Sequence, residues 1–242
     1  MNQKSYQSDL ENRPAVPIST VIISTLAIIF AVFMAVIVLP FWFPGLVQSL
    51  SGENIKVYWY LSRGSAVVAY ILLWVSMVLG LLMTNKMARY WPGAPAAYDL
   101  HEYVSLLGLA FVLFHALILM GDTYIKMNLL QILVPFGSAN YKTLQVAIGQ
   151  YGFYLWVLLV GTFYIRKKIG TKTWRLIHFA SFISFSFALA HGIINGTDTS
   201  TGWMQMIYWG SAASMVFLTI YRVLTVVIGK WFPANQTKSS GI

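Results

Sequence analysis

Six stretches of mainly apolar residues, at 18–42, 57–83, 101–121, 149–166, 175–195 and 205–228, constrain this chain more than any other feature and use most of its 242 residues. A helix rises 1.5 Å per residue, so about 20 apolar residues cross the roughly 30 Å hydrocarbon core of a bilayer. Inside lipid, only a helix or a closed barrel satisfies its own backbone hydrogen bonds. The expected fold is therefore all-α: a six-helix transmembrane bundle over 18–228, between a tail at 1–17 and a tail at 229–242. Charged residues make up only 10% of the chain, against about 25% in an ordinary soluble domain. The loops leave no length for a soluble catalytic domain. The first stretch, ISTVIISTLAIIFAVFMAVIVLPFWF, exceeds the 7 to 15 residues of a signal-peptide core and lacks a small-residue cleavage site, so it reads as a retained helix.

A net charge of +9 would suggest nucleic acid in a soluble protein, but here topology accounts for it. With both termini on one side, twelve of the sixteen Lys and Arg fall on that side, and only Lys56, Arg63, Lys126 and Lys142 fall on the other. The positive-inside rule makes the basic side cytoplasmic, as in a multi-pass protein of a cell inner membrane. The basic run RKKIGTKTWR at 166–175 reads as a topology signal attracted to anionic membrane lipid, or as a docking patch for an electron donor. In the longest outer segment, 122–148, the run LLQILVPF is too short to span and reads as a half-helix at the interface or covering the bundle. There is no cysteine, which removes disulfides, thiolate-held iron–sulfur clusters and thioether-attached haem.

All four histidines lie in two of the six stretches: His101 and His115 in the third, His178 and His191 in the fifth. A polar ionisable side chain within the bilayer is costly and is expected to face the bundle interior and serve a function. The separations, fourteen and thirteen residues, are about 21 and 20 Å along a helix axis. The third and fifth helices run in the same direction, so His101 lies level with His178 and His115 with His191. Each pair suits the two axial positions of one haem b, one haem near each face of the membrane. Rotation sets a condition: at about 100° per residue, fourteen steps return to nearly the same face but thirteen fall about 140° short. The fifth helix is thus expected to be tilted, bent or rewound, with Ser181, Ser184 and Ser186 as candidates for bending it.

Other residues fit a flat group between these helices. Gly108 lies midway between the histidines of the third helix, where a macrocycle or a neighbouring helix can approach. Phe179, Phe182, Phe185 and Phe187 offer flat apolar surface. Arg63, near the outer end of the second helix, reads as a snorkelling cation or as a partner for an outer-haem propionate or the electron acceptor. Asp99 and Glu102 read as an N-cap pair that places His101 in the first turn of its helix.

The sequences HEYVSLLGLAFVLFH, WRLIHFASFISFSFALAH and LSRGSAVV resemble the ferric reductase-like transmembrane domain. This superfamily includes NADPH oxidases, ferric reductases, metalloreductases of the six-transmembrane epithelial antigen type and the membrane subunit of the bacterial methionine sulfoxide reductase system. The resemblance covers about residues 57–225 and rests on the histidine spacing and the Trp-x-x-Ile-His opening of the fifth helix. It implies His101 with His178 for an inner haem, His115 with His191 for an outer one, and an arginine like Arg63 near the outer haem. Leu119 stands where NADPH oxidases carry a further histidine. No G-x-G-x-x-G unit occurs, so a flavin or quinone is expected only through a partner, a separate cytoplasmic flavoprotein or a quinol. The methionine sulfoxide reductase subunit is similar in length but lacks a counterpart of His101. The expected function is a dihaem b-type cytochrome passing electrons to an external acceptor, an oxidoreductase component with no nucleic-acid partner. The alternatives are a quinone-linked b561-type cytochrome and a haem-free transporter or assembly subunit.

Overall fold

The computed structural model describes residues 14–42, 57–90, 93–122, 125–137 and 141–231. Most of the N-terminal tail (1–13), the 43–56 loop and the C-terminal segment 232–242 lie outside the described residues. Among the described residues the chain is helical without strands, and six helices are long and apolar enough to cross a membrane. They are α1 (Ile18–Trp42), α2 (Val57–Thr84), α3 (Ala94–Ile118), α5 (Thr143–Tyr164), α7 (Thr171–His178) with α8 (Ala180–Asn195), and α9 (Gly202–Trp231). Two short helices, α4 (Leu129–Leu133) and α6 (Arg166–Ile169), lie in the connections.

The helix starts differ from the sequence reading in an instructive way. The third helix begins at Ala94 rather than near 101, because Gly93, with φ +101°, starts it and Pro95 sits in its first turn, where a missing N–H costs nothing. His101 therefore lies in the helix interior, and Asp99 and Glu102 do not open it. Glu102 instead caps a different helix. Its buried carboxylate accepts hydrogen bonds from the backbone N–H groups of Ala15 and Val16, each at 2.9 Å, just before α1 begins. Tyr164 of α5 donates to the Val16 carbonyl at 3.0 Å, so the start of α1 is tied to both α3 and α5.

The core sits among α2, α3, α5, α8 and α9. Helices α2 and α3 form the most extensive pairing, α5 lies along α8, and α9 packs on α2. Tyr70, Leu73, Met77, Trp156, Phe185 and Tyr208 make the main buried cluster. Polar groups are paired within it: Tyr70 shares a 2.6 Å hydrogen bond with Ser211, and Trp74 donates to Ser214 at 2.8 Å. Helix α1 packs mainly on α3, through Val32 against Leu117 and Ile118. Its remaining face is apolar and exposed, as expected of a helix bathed in lipid.

The half-helix read from LLQILVPF is α4, closed by a reciprocal capping box between Asn128 and Gln131. Gln150 of α5 donates to the carbonyls of Gln131 and Ile132 at 2.8 and 2.7 Å, which holds α4 against the bundle. In the basic run, Arg166 is buried and turned inward, donating to the Phe163 carbonyl and lying over that ring.

Candidate functional site: two histidine pairs between α3 and the α7–α8 helix

The α2–α3 register builds half of the site. On two antiparallel neighbours, Ser62 faces His115 and Ser76 faces His101, a separation of fourteen residues on both helices. The His101 Nδ1 lies 2.8 Å from the Ser76 carbonyl, and the His115 Nδ1 lies 2.8 Å from the Ser62 carbonyl. A carbonyl only accepts, so each Nδ1 carries the proton and donates it, which leaves Nε2 as the lone-pair nitrogen. The serine hydroxyl oxygens lie beside the same nitrogens, Ser62 Oγ 2.9 Å from His115 Nδ1 and Ser76 Oγ 3.2 Å from His101 Nδ1.

The other half comes from the fifth span. His178 faces His101 with ring centres 6.2 Å apart and planes at 71°; His191 faces His115 at 6.4 Å and 77°. The level pairing expected from the spacing is present. It is reached by interrupting the helix at Phe179, directly after His178, where the Phe179 N–H is shared between the Arg175 and Leu176 carbonyls at 3.3 and 3.2 Å. The serines are not the cause. Ser184 donates across to the Gly152 carbonyl of α5, and only Ser186 bonds back along its own helix, to Phe182.

His191 is held like the histidines of α3, its Nδ1–H donating to the Gln145 carbonyl of α5 at 2.8 Å. Asn195, one turn on, has its amide 3.2 Å from the same nitrogen and its Oδ1 without a partner. Because Nδ1 carries the proton, the amide oxygen of Asn195 is the atom that suits this position, as a second acceptor beside the Gln145 carbonyl. Gly149 makes the close approach possible: a Cβ there would lie 2.6 Å from His191 Nδ1. His178 differs. Its Nδ1 is buried with no partner, and it leans on Trp174, whose ring centre is 5.2 Å away and whose Nε1 is also buried and unpartnered.

These distances suit a metal ion held from two sides. First-row metal–imidazole bonds are about 2.0–2.1 Å, and Nε2 lies roughly 1.1–1.2 Å from its ring centre, so two opposed ligands put the ring centres about 6.2–6.6 Å apart. Among the described residues no group of three or more His, Cys, Asp or Glu is arranged to hold a metal. Two imidazoles alone leave most of a metal's coordination sphere for another ligand to supply.

Between the levels of the two pairs, Gly108 admits a neighbouring helix. A Cβ there would lie 2.6 Å from the buried Trp156 ring of α5. Beside His115 and His191 lies a cavity of about 280 Å³, bounded by Leu73, Val112, Phe153 and Trp156 and by Arg63 and Asp198. Arg63 makes a bidentate ion pair with Asp198, which is buried, and stacks over the Trp59 ring at 5.1 Å. Of the phenylalanines of the fifth span, Phe185 stacks on Tyr70 in the core, whereas Phe179 is exposed.

A family described as a domain of unknown function, DUF8596, matches residues 57–198, more than half of the chain. The chain belongs to the DUF8596 family. The DUF8596 segment starts with α2 and ends at Asp198, so it contains the four histidines, their carbonyl partners and both members of the Arg63–Asp198 pair. No curated protein and no solved structure matches the chain.

Sequence reasoning missed Ser62, Ser76, Gln145, Gly149 and Asp198. Only the serines carried a signal, a fourteen-residue repeat on α2 that mirrors the histidine repeat on its antiparallel neighbour.

Proposed function

We propose that this chain is a ferric reductase-like, bis-histidine dihaem b-type membrane cytochrome that carries electrons from a cytoplasmic donor to an acceptor on the outer face. One observation carries the reading: two half-buried histidine pairs with ring centres 6.2 and 6.4 Å apart, three of the four rings fixed by Nδ1–H donation to a backbone carbonyl. A metal-binding histidine commonly donates its other N–H in this way, which sets its tautomer and raises its basicity. A porphyrin provides the in-plane nitrogens that two imidazoles lack, and when bound it supplies a one-electron couple.

The protein's residues do the rest. His101 and His178 would hold the inner group, and His115 and His191 the outer. Trp156, seated against Gly108, puts an apolar ring between the two levels. Gly149 clears room for the His191 ring. Arg63 places a cation beside the outer cavity, where it attracts a propionate or an anionic acceptor, and Asp198 orients it. With both histidines of a pair committed to the iron, the protein's task would be relay, and the histidine hydrogen bonds, burial and nearby charge would set the potentials.

Twelve basic residues on the side of both termini support a cytoplasmic location for those ends in a cell inner membrane. Outward electron flow is then downhill by about 2.3 kcal/mol per 100 mV in a cell negative inside. A separate flavoprotein or a quinol supplies the electrons. The test is a reduced-minus-oxidised spectrum of the purified protein, with haem quantified per chain. Two b-type haems per chain are expected; a protein that purifies folded and without any haem band sinks the proposal.

A further inference from the structure

The four histidines are not equivalent. His101, His115 and His191 each donate Nδ1–H to a carbonyl of a neighbouring helix. His178 has no such partner among the described residues; its Nδ1 is buried and unpaired, and its ring rests against Trp174. It is also the last residue of α7, at the interruption before α8. The other three sit within uninterrupted helix, and His191 is further enclosed by Gly149.

Each difference weakens the same bond. A histidine that donates Nδ1–H to an acceptor is a more basic ligand and is held in orientation, so one without an acceptor binds iron less strongly and turns more freely. The Phe179 N–H just after it is shared between the Arg175 and Leu176 carbonyls at 3.3 and 3.2 Å, a looser tie than the single short bonds of a regular turn, so the turn that carries His178 yields more easily. The ring contact with Trp174 fixes position by dispersion alone, which has little directional preference.

We infer that His178 is a displaceable ligand, and that the His101–His178 site takes a small neutral diatomic molecule on the ferrous iron in its place, while the His115–His191 site does not. This rests on the haem reading above. The exchange involves no net redox change: the bond from iron to His178 Nε2 breaks, a bond from iron to the diatomic ligand forms, and His101 remains the opposite ligand. Such a site would make electron transfer through the chain responsive to a dissolved gas, because a ligand that binds only ferrous iron holds the inner group reduced.

Carbon monoxide is the probe. The purified full chain is reduced with dithionite, its spectrum recorded, and carbon monoxide added. About half of the haem is expected to shift its Soret band, one site of the two. In His191→Ala the responding haem should be joined by the remaining outer haem where that is retained. In Trp174→Ala, which removes the ring that steadies His178, binding should speed several-fold. Bands unchanged by saturating carbon monoxide in the wild-type protein overturn the inference, as does a shift that persists undiminished in His101→Ala with its outer haem retained. Absence of b-type bands before the gas is added sinks the haem reading itself, so the two failures are told apart.

Discussion

The two histidine pairs share their ring spacing and a serine-carbonyl anchor on the α3 member, and differ in how the α7–α8 member is held. The His115–His191 pair is supported from both sides, by the Ser62 and Gln145 carbonyls, with Gly149 fitted to the His191 ring and the Arg63–Asp198 ion pair beside its cavity. The His101–His178 pair is supported from one side, by the Ser76 carbonyl, and its second member sits at a helix interruption. What differs is therefore the scaffold around the rings. A rigid outer site and a looser inner one are expected to have different ligand exchange and different potentials, even with the same four imidazoles.

The largest expected effect comes from removing ligands. On the dihaem reading proposed above, His115→Ala should lower the haem content from about two to about one per chain and leave the inner spectrum in place, because the pairs lie fourteen residues apart along α3. His101→Ala should do the reverse. If either substitution abolishes all haem while the protein remains folded by circular dichroism, the two sites are coupled and the comparison fails.

Next in size is a contrast between two glycines. At Gly149 a Cβ would meet His191 Nδ1 at 2.6 Å, whereas at Gly80 it would meet His101 Cε1 at 3.5 Å, an ordinary contact. Gly149→Ala should therefore weaken outer haem retention about 10- to 100-fold, the usual scale for disturbing a ligand's support. Gly80→Ala should leave the inner haem as it is. Haem retained on dilution, followed at the α-band, measures both, and equal losses would show that tight fitting does not distinguish the sites.

A smaller effect is expected at Arg63. Asp198 is buried, and Arg63→Gln leaves its carboxylate without a cation, so the fold should lose about 1–3 kcal/mol, read as a lower unfolding temperature in detergent. Arg63→Lys should recover part of this, since an ammonium restores the charge but not the bidentate geometry. A stability indifferent to both changes would remove the ion pair from the account of the outer site.

The bundle and the pairing were legible because they depend on residue type at a fixed spacing. Apolar length locates a span, and histidines fourteen and thirteen residues apart on parallel helices can meet at only two levels. The rotation arithmetic also required an irregular fifth helix, but it did not locate the interruption. Serine hydroxyls pointed to Ser181–Ser186, while the chain yields at Phe179, next to the histidine that has to turn. The Nδ1–H acceptors were hidden for a simpler reason. They are backbone carbonyls, which every residue carries, so nothing in the letters marks Gln145 as the one facing His191. Asp198 was hidden by distance: its partner Arg63 is 135 residues away, and only the folded bundle closes that gap.

Glu102 gives the smallest expected effect and the finest test of the comparison. Its charge lies next to His101 in sequence, yet its carboxylate is spent on the Ala15 and Val16 N–H groups before α1. Glu102→Gln keeps one good acceptor and loses the charge, so it should cost about 1–2 kcal/mol in stability. Because α1 packs mainly against α3, loosening its start should increase proteolysis of the N-terminal segment while the spectrum of the His101–His178 haem stays unchanged. Loss of that haem in Glu102→Gln would mean that the anchor of α1 also supports His101. The inner site would then be held from two directions after all, and its contrast with the outer site would rest on His178 alone.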